Sequence, residues 1–226
     1  MVDRIKIRAD RDLKMICRDR KLIFIHVPKT GGTSIEDMLW PHPRRVEDLW
    51  MGIGPDGRNI YQTGGLQHLT AQLVKRHVGD AVFDACYVFA LVRHPVDRII
   101  SQFNFLNKRP DLLRLLDLDG TRSFSDYLSR IVEVDHVQWM PQSAFLLDEQ
   151  GRVMPELFRL EDVSENFGVL AGKIGLAGQT MIHSQKSLPE DVPETWVTQS
   201  RDWLSSDHLE RIRRIYKDDF DLLGYD

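Results

Sequence analysis

Cysteine is scarce: the 226-residue chain has two, Cys17 and Cys86. Two thiols build no disulfide framework, and no Cys/His cluster has zinc-binding spacing. Cys86 heads an apolar run, which suits a buried thiol better than a bridge and fits a reducing compartment. Long apolar runs are also missing. No stretch approaches the roughly 20 apolar residues of a membrane span. The N-terminal stretch MVDRIKIRADRDLKMICRDRK is charged and has no signal-peptide centre. The expectation is a soluble, cytoplasmic protein. Charge of one sign is not in excess either: the net charge of −4 points to neither nucleic acid nor an anionic membrane as partner. With no internal repeat, low-complexity tract or interdomain linker, the length predicts one domain over 1–226, with 1–20 as an N-terminal extension.

What is present concentrates in Lys21–Ser34, KLIFIHVPKTGGTS. An apolar β-type run, Leu22-Ile23-Phe24-Ile25, passes through His26-Val27-Pro28 into Lys29-Thr30-Gly31-Gly32-Thr33-Ser34. Ile35–Leu39 then reads as a helix. A strand that turns on two glycines into a helix start is an anion cradle, because backbone approaches closely and unpaired N–H groups face the ligand. Lys29 adds a charge, and Thr30, Thr33 and Ser34 add hydroxyls. The lysine precedes the glycines, unlike G-x-x-x-x-G-K-[ST], and this order argues against magnesium-dependent NTP hydrolysis. Gly52–Gly57 matches G-x-G-x-x-G but lacks a preceding strand, and Gly168–Lys173 reads as helix.

Tyr87–Val92, YVFALV, is a second strand whose continuous apolar character suits a parallel sheet covered on both faces. A helix starts at Pro95 and runs through Arg98, Ile99, Phe103 and Leu106. Further helices are expected over Leu69–Val78, over Ser123–Val134 with Ser123 as cap, over Asp162–Ile174 and over Ser205–Phe220 with Ser206 or Asp207 as cap. Ala144–Leu147 and Val153–Leu160 read as short strands around the turn Asp148–Gly151. Pro41–Gly65 is a long excursion and Met181–Pro189 a loop. The pair Asp218-Asp219 reads as a solvated helix end. Alternating strands and helices indicate an α/β layer fold.

Arg93 lies just past the end of the second strand, where open α/β sheets bind ligands, and its planar fork suits a phosphate. Ser101 is eight residues on, about two helical turns at 3.6 residues each, so it can share Arg93's side. The alternative for these two is an arginine at a strand end and a serine on a solvated face.

PKTGGTS at Pro28–Ser34, VFALVRHPVDRIISQF at Val88–Phe103 and RIYKDDFDLLGYD at Arg214–Asp226 together resemble the PAPS-dependent sulfotransferases. The likeness is to the carbohydrate-type branch with the heparan and chondroitin sulfate O-sulfotransferases. It implies one sulfotransferase-like domain with a P-loop-like three-layer fold, in which helices flank a central, mainly parallel sheet. It implies PAPS as donor, PAP as product, no metal, and a carbohydrate or small hydroxylated acceptor. Lys29 and the residues Thr30, Gly31, Gly32, Thr33 and Ser34 would hold the 5′-phosphosulfate, with Arg93 and Ser101 on the 3′-phosphate. Lys186 and Ser187, in MIHSQKSLP, would touch the nucleotide or close over it; Gln185 stands where small members often have asparagine.

Lys29 is placed to stabilise charge on the leaving phosphate. His68, between a glycine pair and a helix start, is the candidate general base, as a histidine near its unperturbed pKa; the alternative is a histidine packed at a helix start. His26 reads as packing, and His136 as a wall of the acceptor pocket with Trp139 and Gln142. Arg44, Arg45, Arg58, Lys75, Arg76 and Arg109 are candidates for an anionic-sugar groove, and Trp40, Trp50, Tyr61 and Trp139 for stacking on a sugar. The competing functions are a P-loop-type small-metabolite kinase and a non-catalytic nucleotide- or glycan-binding protein.

Overall fold

The computed structural model describes residues 16–17, 20–39, 68–106, 109–118, 123–181 and 201–226. Pro41–Gly65, His183, Gln185, Lys186, Ser187, Arg44, Arg45, Arg58, Trp40, Trp50 and Tyr61 lie outside them.

Four strands form one sheet in the order β1 (Ile16–Cys17), β2 (Leu22–Ile25), β3 (Tyr87–Val92) and β4 (Glu156–Arg159). The first pair is antiparallel and the other two are parallel. Ile16 and Cys17, inside the stretch read as an extension, therefore belong to the sheet. Cys17 and Cys86 form no disulfide, and Cys86 is half-buried rather than buried.

The alternation along β2 and β3 builds two cores. Leu22, Phe24, Phe89 and Leu91 pack with Ile35 and Leu39 of α1 (Gly32–Leu39) and with Leu170 of α9 (Phe167–Lys173). Ile23, Ile25, Ala90 and Val92 face Val74 of α2 (Ala71–Val78) and Phe145 of α7 (Ser143–Leu146). Helices on both faces explain why these strands are apolar at every position. The fold is α/β, a mostly parallel sheet between helical layers, as expected. A third cluster joins α4 (Pro95–Leu106), α5 (Pro110–Leu115) and α6 (Phe124–Arg130) to α10 (Ser206–Ile215) and α11 (Lys217–Leu223). The short α3 (Asp80–Asp84) precedes β3. Among the described residues, no helix is long and apolar enough to cross a membrane.

Several boundaries differ from expectation. Ala144–Leu147 is not a strand. Ser143–Leu146 is helical because the buried carboxylate of Asp219, distant in sequence, accepts the N–H groups of Gln142 and Ser143 at 2.8 Å each. The turn at Asp148–Gly151 is present and closed by a Leu147–Val153 bridge, but Glu156–Arg159 then joins β3 in parallel. The helix expected over Asp162–Ile174 breaks at Asn166 into α8 (Leu160–Glu165) and α9. That over Ser205–Phe220 breaks at Tyr216, whose hydroxyl donates to the Trp139 carbonyl (2.9 Å). Its cap is Ser205, not Ser206 or Asp207: Ser205 Oγ accepts from His208 N–H, and His208 Nδ1 accepts from Ser205 N–H. Ser123 caps α6 as expected.

Candidate active site

β2 and β3 are parallel neighbours, so the residues that follow them leave the sheet at one edge. There the loop 26–31 meets Arg93 and α4. Four consecutive loop carbonyls accept hydrogen bonds from four different side chains. His68 Nδ1–H donates to the His26 carbonyl (3.0 Å), Thr30 Oγ1–H to Val27 (2.9 Å), Arg98 Nε–H to Pro28 (2.9 Å) and Arg93 Nη1–H to Lys29 (3.4 Å). In a trans peptide the N–H points opposite its own C=O. The N–H groups of Lys29 and Thr30 therefore face away from Arg98 and Arg93. Thr30 spends its hydroxyl proton inside the loop, so the backbone amide is what it offers a ligand.

The two glycines serve different needs. Gly31 has a φ of +83°, and a β-carbon there would stand 2.7 Å from Leu160 Cδ1. Gly32 starts α1 under the ring of His26. Lys29 also adopts a left-handed φ, +67°, uncommon for a residue with a β-carbon. Its ammonium lies over the Phe105 ring, 4.2 Å from the centroid. The first turn of α1 carries no acidic residue, so nothing there neutralises the positive helix end. Thr33 is half-exposed and Ser34 buried within that turn.

Behind the loop lies a buried histidine pair. His26 Nδ1 is 2.7 Å from Glu36 Oε1, and the His26 and His68 rings meet edge to face with centroids 4.6 Å apart. The carbonyl partner of His68 can only accept, so Nδ1 carries the proton and Nε2 keeps its lone pair. Burial, and then the neighbouring His26, pull the His68 pKa down to about 3. This corrects the expectation of a near-unperturbed histidine: the ring is buried against His26, where its charged form loses hydration.

Arg93 is half-buried, and its backbone is clamped by Gln142, which accepts from Arg93 N–H (3.0 Å) and donates to the Arg93 carbonyl (2.7 Å). The Gln142 amide is thus committed to holding Arg93, not to lining an acceptor pocket. Asp219, which fixes Gln142, is fully buried rather than solvated, and burial raises its pKa. The carboxylates near Arg93 are engaged elsewhere. Asp97 pairs with Arg201 through two 3.0 Å contacts, and Glu161 accepts from His94 N–H (2.9 Å) and the Tyr225 hydroxyl (3.0 Å). Among the described residues Arg93 forms no ion pair, and burial lowers its pKa against the pull of Asp97 and Glu161. Ser101 is buried on α4, which excludes the solvated face considered for it.

Arg98 and Glu36 are structural participants that motif reading passes over, and Gln142 and Asp219 hold roles other than those expected of them. Only Arg98 left a trace in the sequence, a charged residue beside Ile99 and Ile100 in a helix that buries nearly every side chain. Arg76 and Lys75 pair with Glu149 and Asp84, and Arg109 with Asp111, so these three are already engaged by carboxylates. Trp139 is buried, with Nε1–H donating to Val134.

No curated protein and no solved structure matches the chain. The sulfotransferase family profile matches residues 14–226, covering the cradle, the Arg93–Ser101 unit and the C-terminal helices. With a match over that span, the chain belongs to the sulfotransferase family.

Proposed function

We propose that the protein transfers a sulfuryl group from PAPS to a hydroxyl of a carbohydrate or glycoconjugate. The observation that carries the donor assignment is Arg93: a half-buried guanidinium with no carboxylate partner among the described residues, adjoining the Lys29 loop. A nucleotide with anionic groups at both its 5′ and 3′ positions suits two neighbouring cation sites better than one without the 3′-phosphate. The glycan acceptor rests on the likeness to the carbohydrate branch.

In this reading the Lys29 and Thr30 amides and the start of α1 bind the 5′-phosphosulfate, and Arg93 with Ser101 bind the 3′-phosphate. Gly31 and Gly32 let the loop close against Leu160 and the His26 ring, which holds its amides in place. The acceptor oxygen attacks sulfur as the bond from sulfur to the 5′-phosphate oxygen breaks. Charge grows on that oxygen, and the Lys29 ammonium, leaving Phe105, stabilises it. The acceptor proton passes to His68 Nε2. At a pKa near 3 His68 is a weak base, and an anionic donor beside it raises that value. Lys186 and Ser187 complete the nucleotide site. Cytoplasmic residence belongs to the same reading.

Titration calorimetry with PAP and with ATP plus magnesium tests the donor, and a PAPS turnover assay over an acceptor panel tests the reaction. PAP is expected to bind and ATP-magnesium not to. ATP-magnesium binding without PAP binding overturns the proposal in favour of a kinase. PAP binding without turnover leaves a nucleotide-binding protein.

A further inference from the structure

Arg98 is 2% exposed. A guanidinium taken from water is costly unless its donors are satisfied. Its Nε–H donates to the Pro28 carbonyl at 2.9 Å, Nη2 reaches the Gln138 carbonyl at 3.5 Å, and the group stands over the Tyr216 ring at 5.8 Å. The Pro28 bond acts on the peptide that leads directly into Lys29, the residue with the left-handed backbone. Holding that carbonyl orients the Lys29 N–H the other way and biases the φ that aims the lysine. Arg98 also stands on α4, one turn before Ser101 and Gln102, so the same helix that carries the proposed 3′-phosphate ligand grips the 5′ loop.

We infer that Arg98 is a positioning residue for Lys29: it pins the Pro28–Lys29 peptide so that the lysine is set for the donor before it binds. This rests on the PAPS reading. Arg98 itself touches no donor atom; it acts through the Pro28 carbonyl. Lysine cannot reproduce this, because a point ammonium does not offer the same fixed fork to two separate carbonyls.

A double-mutant cycle on PAP affinity, read by calorimetry on the full chain, tests the inference. Arg98→Lys is expected to weaken PAP binding about tenfold where Lys29 is present and less than twofold in a Lys29→Ala chain. Equal weakening in both backgrounds, or unchanged affinity in the Lys29 chain, overturns it, since a merely structural arginine acts whether or not the lysine is there. Thermal melts establish that all four chains fold. If Arg98→Lys does not melt cooperatively, Arg98→Gln, which retains a neutral donor, carries the same cycle with the same criteria. Failure of the wild-type chain to bind PAP would sink the donor reading and this inference together, whereas wild-type binding with additive losses sinks the inference alone.

Discussion

The His26 imidazole occupies the space that a β-carbon on Gly32 would need. Built there, that carbon stands 2.2 Å from Cδ2 and 2.3 Å from Nε2 of the ring. The ring has little room to retreat, because it is buried and its Nδ1 is held by Glu36. Gly32→Ala is therefore expected to cost about 1–3 kcal/mol, the usual penalty of overpacking. In a His26→Ala background the same substitution should cost less than about 0.5 kcal/mol, because the clashing ring is gone. Denaturant unfolding of the four chains checks this, and an undiminished cost in the second background refutes the packing argument.

Lys29→Ala is expected to lower turnover by at least about 100-fold, the scale for losing one preorganised stabiliser of developing charge. A cooperative thermal melt of the variant separates this loss from one of folding. Turnover within a few fold of wild type would remove the lysine from the mechanism.

Arg93→Ala should weaken PAP binding well beyond any loss for adenosine 5′-phosphate, which feels only the 3.4 Å tie from Arg93 to the Lys29 carbonyl. The contrast follows from the proposed contact with the 3′-phosphate alone, a charge-assisted interaction worth about 1.5–3 kcal/mol. Parallel losses for both nucleotides would move Arg93 to the 5′ end of the site.

The lowered pKa of His68 has a definite sign for stability. Unfolded, the ring binds a proton below about 6.5; folded, it resists protonation until about pH 3. Between those values the unfolded chain holds more protons, so stability falls as the pH is lowered through the window, by on the order of 4 kcal/mol at its acid end. His68→Gln should flatten this acid slope in urea titrations at stepped pH. An unaltered slope would place the acid sensitivity elsewhere. The kcat/KM profile of the wild-type enzyme should likewise lack a His68 limb near pH 6.5, and His68→Ala should depress turnover if Nε2 receives the acceptor proton.

Asp219→Ala removes the acceptor of two amide N–H groups at the start of α7 and loosens Gln142 behind Arg93. A loss of about 2–4 kcal/mol is expected, one to two buried donors left unpaired. Thermal unfolding would show it, and a near-neutral effect would mean that the carboxylate is dispensable.

The cradle was legible because its causes are local. Two apolar runs, a pair of glycines after a lysine, and an arginine and a serine two turns apart are features of neighbouring residues. The carbonyl clamp was not legible: His68, Arg98 and Arg93 reach the loop from 42, 70 and 64 residues away. For the same reason α7 was read as a strand and Asp219 as solvated. The acid that caps α7 is 76 residues further along the chain, and no local pattern reports it.

By itself the sequence determined the layered α/β order and the turn from β2 into α1, since buried parallel strands must be apolar throughout and a backbone φ of +83° at Gly31 demands glycine. Only the tertiary structure decided which ionisable groups are buried and what they hold. Arg98 became the grip on Pro28, Asp219 the cap of α7, and His68 a ring with its pKa pulled far down instead of one near its ordinary value. Burial and hydrogen-bond partners are set by what packs against a residue in space, and in this protein those neighbours are remote in the chain.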